Sequence, residues 1–354
     1  MDYIVKPINA EMKNAAAQRQ KNLAKPFGAL GALEDYSARI AGITGKLFPA
    51  ISAKAVVVFA ADNGVWDEGV TPIGRSVTAL QSANMTFGKA GIGVLSAHAG
   101  AKLYVVDVGI YEKTESRYII NRKVMRGTKN ITKGPAMTRE QFDKAFGVGE
   151  EMAKRCFDDG IVMAGAGEMG VGNTTTSSAV LSALTGLDPS EITGRGAGIT
   201  REAYENKLNV IRRALEVNKP DASDPADVVA RVGGLDIAAM MGFYIRAASL
   251  GRVVVIDGCL SIIAALAASR LCPNSAQYMF LSHRSAEPGY DAAAKELGLK
   301  PMFDLGMRLG EGTGCPLAFN VLEASVRVLR DMATFDEISI DPGQVEDNWD
   351  EENQ

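Results

Sequence analysis

The amino-acid sequence predicts an α/β protein with a Rossmann-like, doubly wound, mainly parallel β-sheet and helices on both faces. Three observations lead there. Short runs such as AVVVFAAD (residues 55–62) and VVVIDG (253–258) are apolar without alternation, as strands buried on both faces are. These runs alternate along the chain with longer helical segments, the pattern of parallel strands joined by crossover helices. Nearly every apolar run ends in a carboxylate, a hydroxyl or a glycine. Ligands of such sheets collect at those carboxyl ends.

Taken in order, residues 9–46 read as helix on either side of a turn, KPFGALG (25–31). The strand at 55–62 is followed by a helical run through residues 79–99 and a strand LYVVDVGI (103–110). MTREQFDKAFGVGEEMAKRCFDDG (137–160) is a helix with Thr138 as N-cap and Glu140 in its first turn. IVMAGAG (161–167) is a strand that runs into a glycine-rich loop, and TTTSSAVLSALTG (174–186) begins the next helix. An amphipathic helix covers 201–218. The hydrophobic face in GGLDIAAMMGFYIRAAS (233–249) suits core or interface, core being the more frequent outcome. After the strand at 253–258 come a buried helix, SIIAALAASRL, and a last clear strand, YMFLSH (278–283). The acidic tail at 341–354 is expected to be frayed or loosely docked.

Composition excludes several classes. The chain has 354 residues, 47% hydrophobic and 23% charged, enough for a large core or two domains. A net charge of −4 gives no basic field for nucleic acid or an anionic membrane. Four scattered cysteines without CxxC spacing fit neither a disulfide framework nor a zinc site, and suit a reducing cytosol. Only two histidines, His98 and His283, are present, far apart in sequence, so a histidine-rich metal site is not expected. The N-terminus lacks the apolar core of a signal peptide, and no apolar run is long enough to span a bilayer. The expected location is cytoplasmic.

Two glycine-embedded glutamates carry the chemistry. MRLGEGTG (307–314) holds Glu311 beside Gly312 and Thr313, and GAGEMGVGNTTT (165–176) holds Glu168 beside Met169. Glycines let backbone approach a ligand closely, and a carboxylate held there is a candidate general base. Gly165, Gly167 and Gly170 match GxGxxG, a weak signal alone, because no second strand ending in an acid follows at the Rossmann spacing. The residues after the glycines say more. Asn173, Thr174, Thr175 and Thr176 open a helix, so backbone N–H groups and hydroxyls face one point, as a phosphate requires. Gly196 and Lys207 can add a donor and a cation, although most helical lysines only solvate a face.

Together these segments resemble the nicotinate-nucleotide:dimethylbenzimidazole phosphoribosyltransferase family, which makes the lower-ligand nucleotide of cobamides. The resemblance runs over nearly the whole chain, through KPFGALGALE, FAADNGVWDEGV, VTALQSANMTFGKAG, GEMGVGNTTTSSA, ENKLNVIRRA, VGGLDIAAMMG, VIDGCLS and SHRSAEPG to LGEGTG. It implies a large Rossmann-like domain (residues 46–319), a small helical domain from both termini (1–45 with 320–354) and a dimer. It implies transfer of phosphoribose from nicotinate mononucleotide to a lower-ligand base with inversion, giving an α-ribotide and nicotinate. Glu311 falls on the family's general base, Glu168 on a second active-site glutamate and Lys207 on a phosphate-side lysine. Asp257 and Ser285 are candidates for hydroxyl contacts. No cofactor or metal is required, because the positively charged ring nitrogen of the substrate departs neutral and one base suffices for the incoming ligand.

The chain departs from the family pattern in three places. Asn63 stands where ADHG is usual, Arg75 where a Gln is common, and KPFGALG replaces KPPGSLG. The first two lie in the segment resembling the base-binding loop. They suggest a pocket altered toward phenol or p-cresol, as in a heterodimeric branch of the family, with Arg75 as the cation that favours phenolate; the alternative is drift on a loop that still takes a dimethylbenzimidazole-like ligand. Two other readings compete: a non-catalytic subunit of a heterodimer, and a dinucleotide-dependent oxidoreductase resting on the lone GxGxxG.

Overall fold

The computed structural model describes residues 4–196, 198–341 and 343. The expected frayed tail lies, apart from residues 341 and 343, outside the described residues. Two helices come first, α1 (Ala10–Asn22) and α2 (Ala32–Thr44). The sheet then begins with β1 (Lys54–Ala61), whose eight residues are all buried. The expected helix at 79–99 is two helices, α3 (Ser76–Thr86) and α4 (Gly91–His98). Gly88 breaks them with φ of +70°, a conformation open mainly to glycine.

Next come β2 (Lys102–Gly109), a two-residue β3 (Ile120–Asn121) and α5 (Arg139–Asp158). Thr138 caps α5 in a reciprocal capping box with Gln141. β4 (Met163–Met169) leads into α6 (Asn173–Thr185), the short α7 (Pro189–Ile192), α8 (Arg201–Asn218), α9 (Pro225–Val232) and α10 (Leu235–Ser249). The rest of the chain forms β5 (Val253–Ile256), α11 (Cys259–Leu271), β6 (Met279–His283), α12 (Gly289–Leu297), β7 (Pro301–Phe303) and α13 (Gly314–Asp331).

All seven strands are parallel, in the order β3-β2-β1-β4-β5-β6-β7. The order reverses between β1 and β4, where Phe59 pairs with Glu168. That switch point opens a crevice at the carboxyl edge. YMFLSH is therefore not the last strand: β7 follows it at the edge.

α10 is core, not surface. Met240 and Met241 are fully buried, and α5 approaches it closely because Gly149 and Gly242 lack side chains where the backbone of Ala239 and Phe146 passes. The two ends of the chain meet. Arg19 of α1 donates to the Leu329 carbonyl of α13 at 2.7 Å, and Ala16, Ala38, Ala41 and Leu329 share a small apolar cluster. α13 itself runs unbroken across residue 319. Among the described residues, no helix is long and apolar enough to cross a membrane.

Candidate active site

A cavity of about 420 Å³ lies at the carboxyl edge of the sheet. The loop that carries Glu311 forms one wall. Gly310, Glu311 and Gly312 all have positive φ, +82°, +62° and +88°. For glutamate the left-handed conformation costs on the order of 1 kcal/mol, and such strain clusters at functional sites. The loop lies directly on β4. A side chain at Gly167 would run into the Glu311–Gly312 backbone, and one at Gly165 would sit 2.5 Å from Cys315 Sγ. Gly165 and Gly167 thus serve close packing inside a strand rather than a phosphate turn, which removes the structural basis of the GxGxxG reading.

Asp257, just past β5, ties the same loop down. Its Oδ2 accepts the Gly312 N–H at 2.9 Å and its Oδ1 the Gly314 N–H at 2.6 Å. The Glu311 carboxylate is held from two sides: Gln81 Nε2 donates to Oε1 at 2.6 Å and the Ile92 N–H to Oε2 at 3.3 Å.

Glu168, at the end of β4, faces the same cavity. Burial, then the neighbouring Asp236 and Asp257 carboxyls, push its pKa up to about 8. Asn173 Nδ2 donates to its Oε2. Burial also raises Asp257 to about 7. At neutral pH the wall therefore contains a proton-bearing Glu168. His283, 1% exposed beside Asp257, is held toward its neutral form by burial.

Behind Thr174 and Gly196 a side cavity of about 110 Å³ ends on Lys207. Lys207 Nζ donates to Thr174 Oγ1 at 3.0 Å and to the Gly194 carbonyl at 3.2 Å. It is 2% exposed, and burial lowers its pKa to about 8. Among the described residues no ion pair within 4 Å holds it; its direct bonds go to neutral oxygens, and the Glu287 carboxylate acts on it from farther off. That arrangement favours an anionic guest.

Of the residues singled out in the sequence, Glu168, Met169, Gly170, Asn173, Thr174 and Gly196 line the main cavity, as do Asp257, Ser285 and Glu311. Gly312 and Thr313 stand behind the wall; Thr313 Oγ1 donates to the Gly310 carbonyl at 2.8 Å. Thr175 is buried behind it with an unpartnered hydroxyl. Asn63 and Arg75 do not line the cavity. Asn63 is 1% exposed, and its N–H donates to the Val171 carbonyl. Arg75 pairs with Asp67 at 2.7 Å and lies over the rings of Trp66 and Tyr111, 4.5 and 4.6 Å from their centroids. Sequence reasoning missed Gln81, Glu287 and Arg308, all on the cavity wall.

A phosphoribosyltransferase family model matches residues 5–340. A nicotinate-nucleotide–dimethylbenzimidazole phosphoribosyltransferase of Ruminiclostridium cellulolyticum is 46% identical over 337 residues, 95% of this chain and 96% of its own. The enzyme of that name from Geobacter metallireducens is 44% identical over 96% of this chain and 97% of its own. The chain belongs to this family. Two crystal structures from Thermus thermophilus, one of the nicotinate-nucleotide–dimethylbenzimidazole phosphoribosyltransferase and one of CobT, superpose with TM-scores of 0.89 and 0.90. They are 37% and 38% identical to this chain, and each match covers 94% of it and 99% of the other. The cavity is thus the candidate active site of a phosphoribosyltransferase of the nicotinate-nucleotide–dimethylbenzimidazole type.

Proposed function

We propose that the chain moves phosphoribose from nicotinate mononucleotide to an aromatic lower-ligand base with inversion at the ribose carbon, giving an α-ribotide and nicotinate. The observation that carries this reading is the Glu311 carboxylate, strained in backbone, fixed by two donors and open to the cavity. One ring nitrogen of the incoming base forms the new C–N bond with its in-plane lone pair while the N–H of the other ring nitrogen loses its proton, with Glu311 as the accepting base. The old C–N bond breaks with its pair going to the pyridinium nitrogen, which leaves neutral. The carboxyl-rich wall suits the positive charge that grows on the ribose between these events. Lys207, Thr174 and Gly196 hold the 5′-phosphate in the side cavity, and Asp257 and Ser285 face the ribose.

The lower ligand in this reading is a benzimidazole-type base. A phenol would want a cation beside its hydroxyl, and the guanidinium of Arg75 is occupied by Asp67 and two aromatic rings. We also read residues 46–319 as the catalytic unit and both termini as a helical appendage. The working form is a dimer of two copies or of two homologous chains. Exposed Leu80, Phe87 and Val94, 57–63% accessible on the α3–α4 segment, support that pairing.

The test is a competition. Purified protein receives nicotinate mononucleotide with dimethylbenzimidazole and phenol in one tube, and the products are resolved by mass and by anomeric configuration. The expected product is the α-benzimidazole ribotide. A phenolic ribotide would overturn the ligand assignment, a β-product the inversion, and no product with either base, in the presence of intact nucleotide binding, the catalytic role of this chain on its own.

A further inference from the structure

Asp236, the second residue of α10, is wholly buried, and its Oδ2 makes no hydrogen bond. Its Oδ1 accepts the Ile237 N–H at 2.9 Å. Among the described residues no ion pair reaches it. The charged groups that face it are themselves carboxyls: Asp62 past the end of β1 and Glu168 on β4. An ionised carboxylate there would be a buried charge with no counter-ion, which is expensive. Burial pushes its pKa up to about 7.

A neutral carboxylic acid keeps one O–H donor and needs an acceptor for it. Asn63 stands ready. Its Oδ1 and Asp236 Oδ1 both lie within 2.7 Å of the point a side chain at Gly234 would take, so the two groups face each other across a glycine. The acceptor is under-used, since Thr176 Oγ1 reaches it only at 3.3 Å. On its other side, the Asn173 amide acts on Asp236 as a donor while also donating to Glu168. An amide nitrogen carries two hydrogens, one for each carboxyl.

We propose that Asp236 is a positioning residue, a neutral acid that donates to Asn63 and, through its interaction with the Asn173 amide, fixes Glu168 on the cavity wall. Its kinetic part rests on the transferase reading above; its protonation state does not. In this arrangement Asn63 acts beneath the cavity, as the partner of a proton that never meets substrate. Gly234 is the gap through which the pair forms.

Two variants and two readouts test this. Asp236→Ala frees Asn173 and is expected to lower kcat about tenfold or more, with KM for nicotinate mononucleotide nearly unchanged because the phosphate end is untouched. Asp236→Asn has the shape of the neutral acid, with an N–H in place of the O–H, and is expected to restore most of that loss. The infrared difference between the native protein and Asp236→Asn at pH 6 is expected to contain a protonated-carboxyl stretch. An Asp236→Asn variant as slow as Asp236→Ala, or a difference spectrum showing a carboxylate instead, overturns the proposal. If the native chain made no ribotide at all, the transferase reading would fail alone, and the spectrum would still decide the state of Asp236.

Discussion

Glu168 and Glu311 line one cavity, yet the fold treats them in opposite ways. Glu168 ends a strand, with Asp236 and Asp257 pressing on it, and keeps its proton to about pH 8. Glu311 sits in a left-handed loop with an N–H or amide directed at each of its oxygens. One carboxyl is pressed by neighbouring acids and held toward its protonated form; the other accepts a hydrogen bond at each oxygen. Residue type alone thus assigns no role; the neighbours set how each carboxyl holds its proton.

The strongest way to break this contrast is Glu311→Gln. An amide keeps the shape and cannot accept the proton, so kcat is expected to fall about 10²- to 10⁴-fold, with nucleotide binding by calorimetry unchanged. Surviving turnover would move the base elsewhere. Gln81→Leu removes one of the two donors and lets the carboxylate turn, for an expected loss of roughly tenfold in kcat; a neutral result would leave the Ile92 N–H as sufficient.

Glu168→Gln sharpens the other half. It retains a donor where the native protein has a protonated acid, so at pH 7 the loss is expected to be only a few-fold, far smaller than at Glu311. The native rate should then decline as pH rises through about 8 and Glu168 ionises, and the variant should decline less. Stability follows the same sign. Folded Glu168 holds its proton up to about 8, whereas an ordinary glutamate gives it up near 4.5. Stability from this residue is therefore lost as pH rises through that window, and thermal melts of Glu168→Gln should show a shallower fall. Equal damage from the two glutamine substitutions would erase the distinction. The smallest effect belongs to Arg75→Gln, outside the cavity, which is expected to leave the benzimidazole-to-phenol product ratio unchanged. A shifted ratio would bring Arg75 back into the ligand pocket.

The sheet was legible because buried parallel strands are written as unbroken apolar runs. β3 and β7 were not, because two and three residues at a sheet edge leave too little pattern. The break between α3 and α4 was hidden in a stretch of small residues with helical composition, where Gly88 carried the only strong signal. Both glutamates were legible because glycines surround them, although the glycines of β4 turned out to admit a neighbouring loop rather than a phosphate. Gln81 was not, since one amide inside an apolar helix looks like any partly exposed position. Asn63 and Arg75 were expected in the lower-ligand pocket, and neither lines the cavity of this structure. Position in a loop does not tell which way a side chain points: the Asn63 amide oxygen accepts from Thr176 and faces Gly234, and the Arg75 guanidinium lies over Trp66 and Tyr111.

During synthesis the end of β4 emerges long before residues 310–314 exist to lie on it. At typical translation speeds the gap between Gly167 and Gly312 lasts roughly ten to thirty seconds. Over that interval the bare glycine backbone has no cover from this loop and Glu168 has no facing Glu311. A chain that stops short of residue 310 lacks the loop that walls this cavity, so the Glu311 side of the site is made only after the central strands.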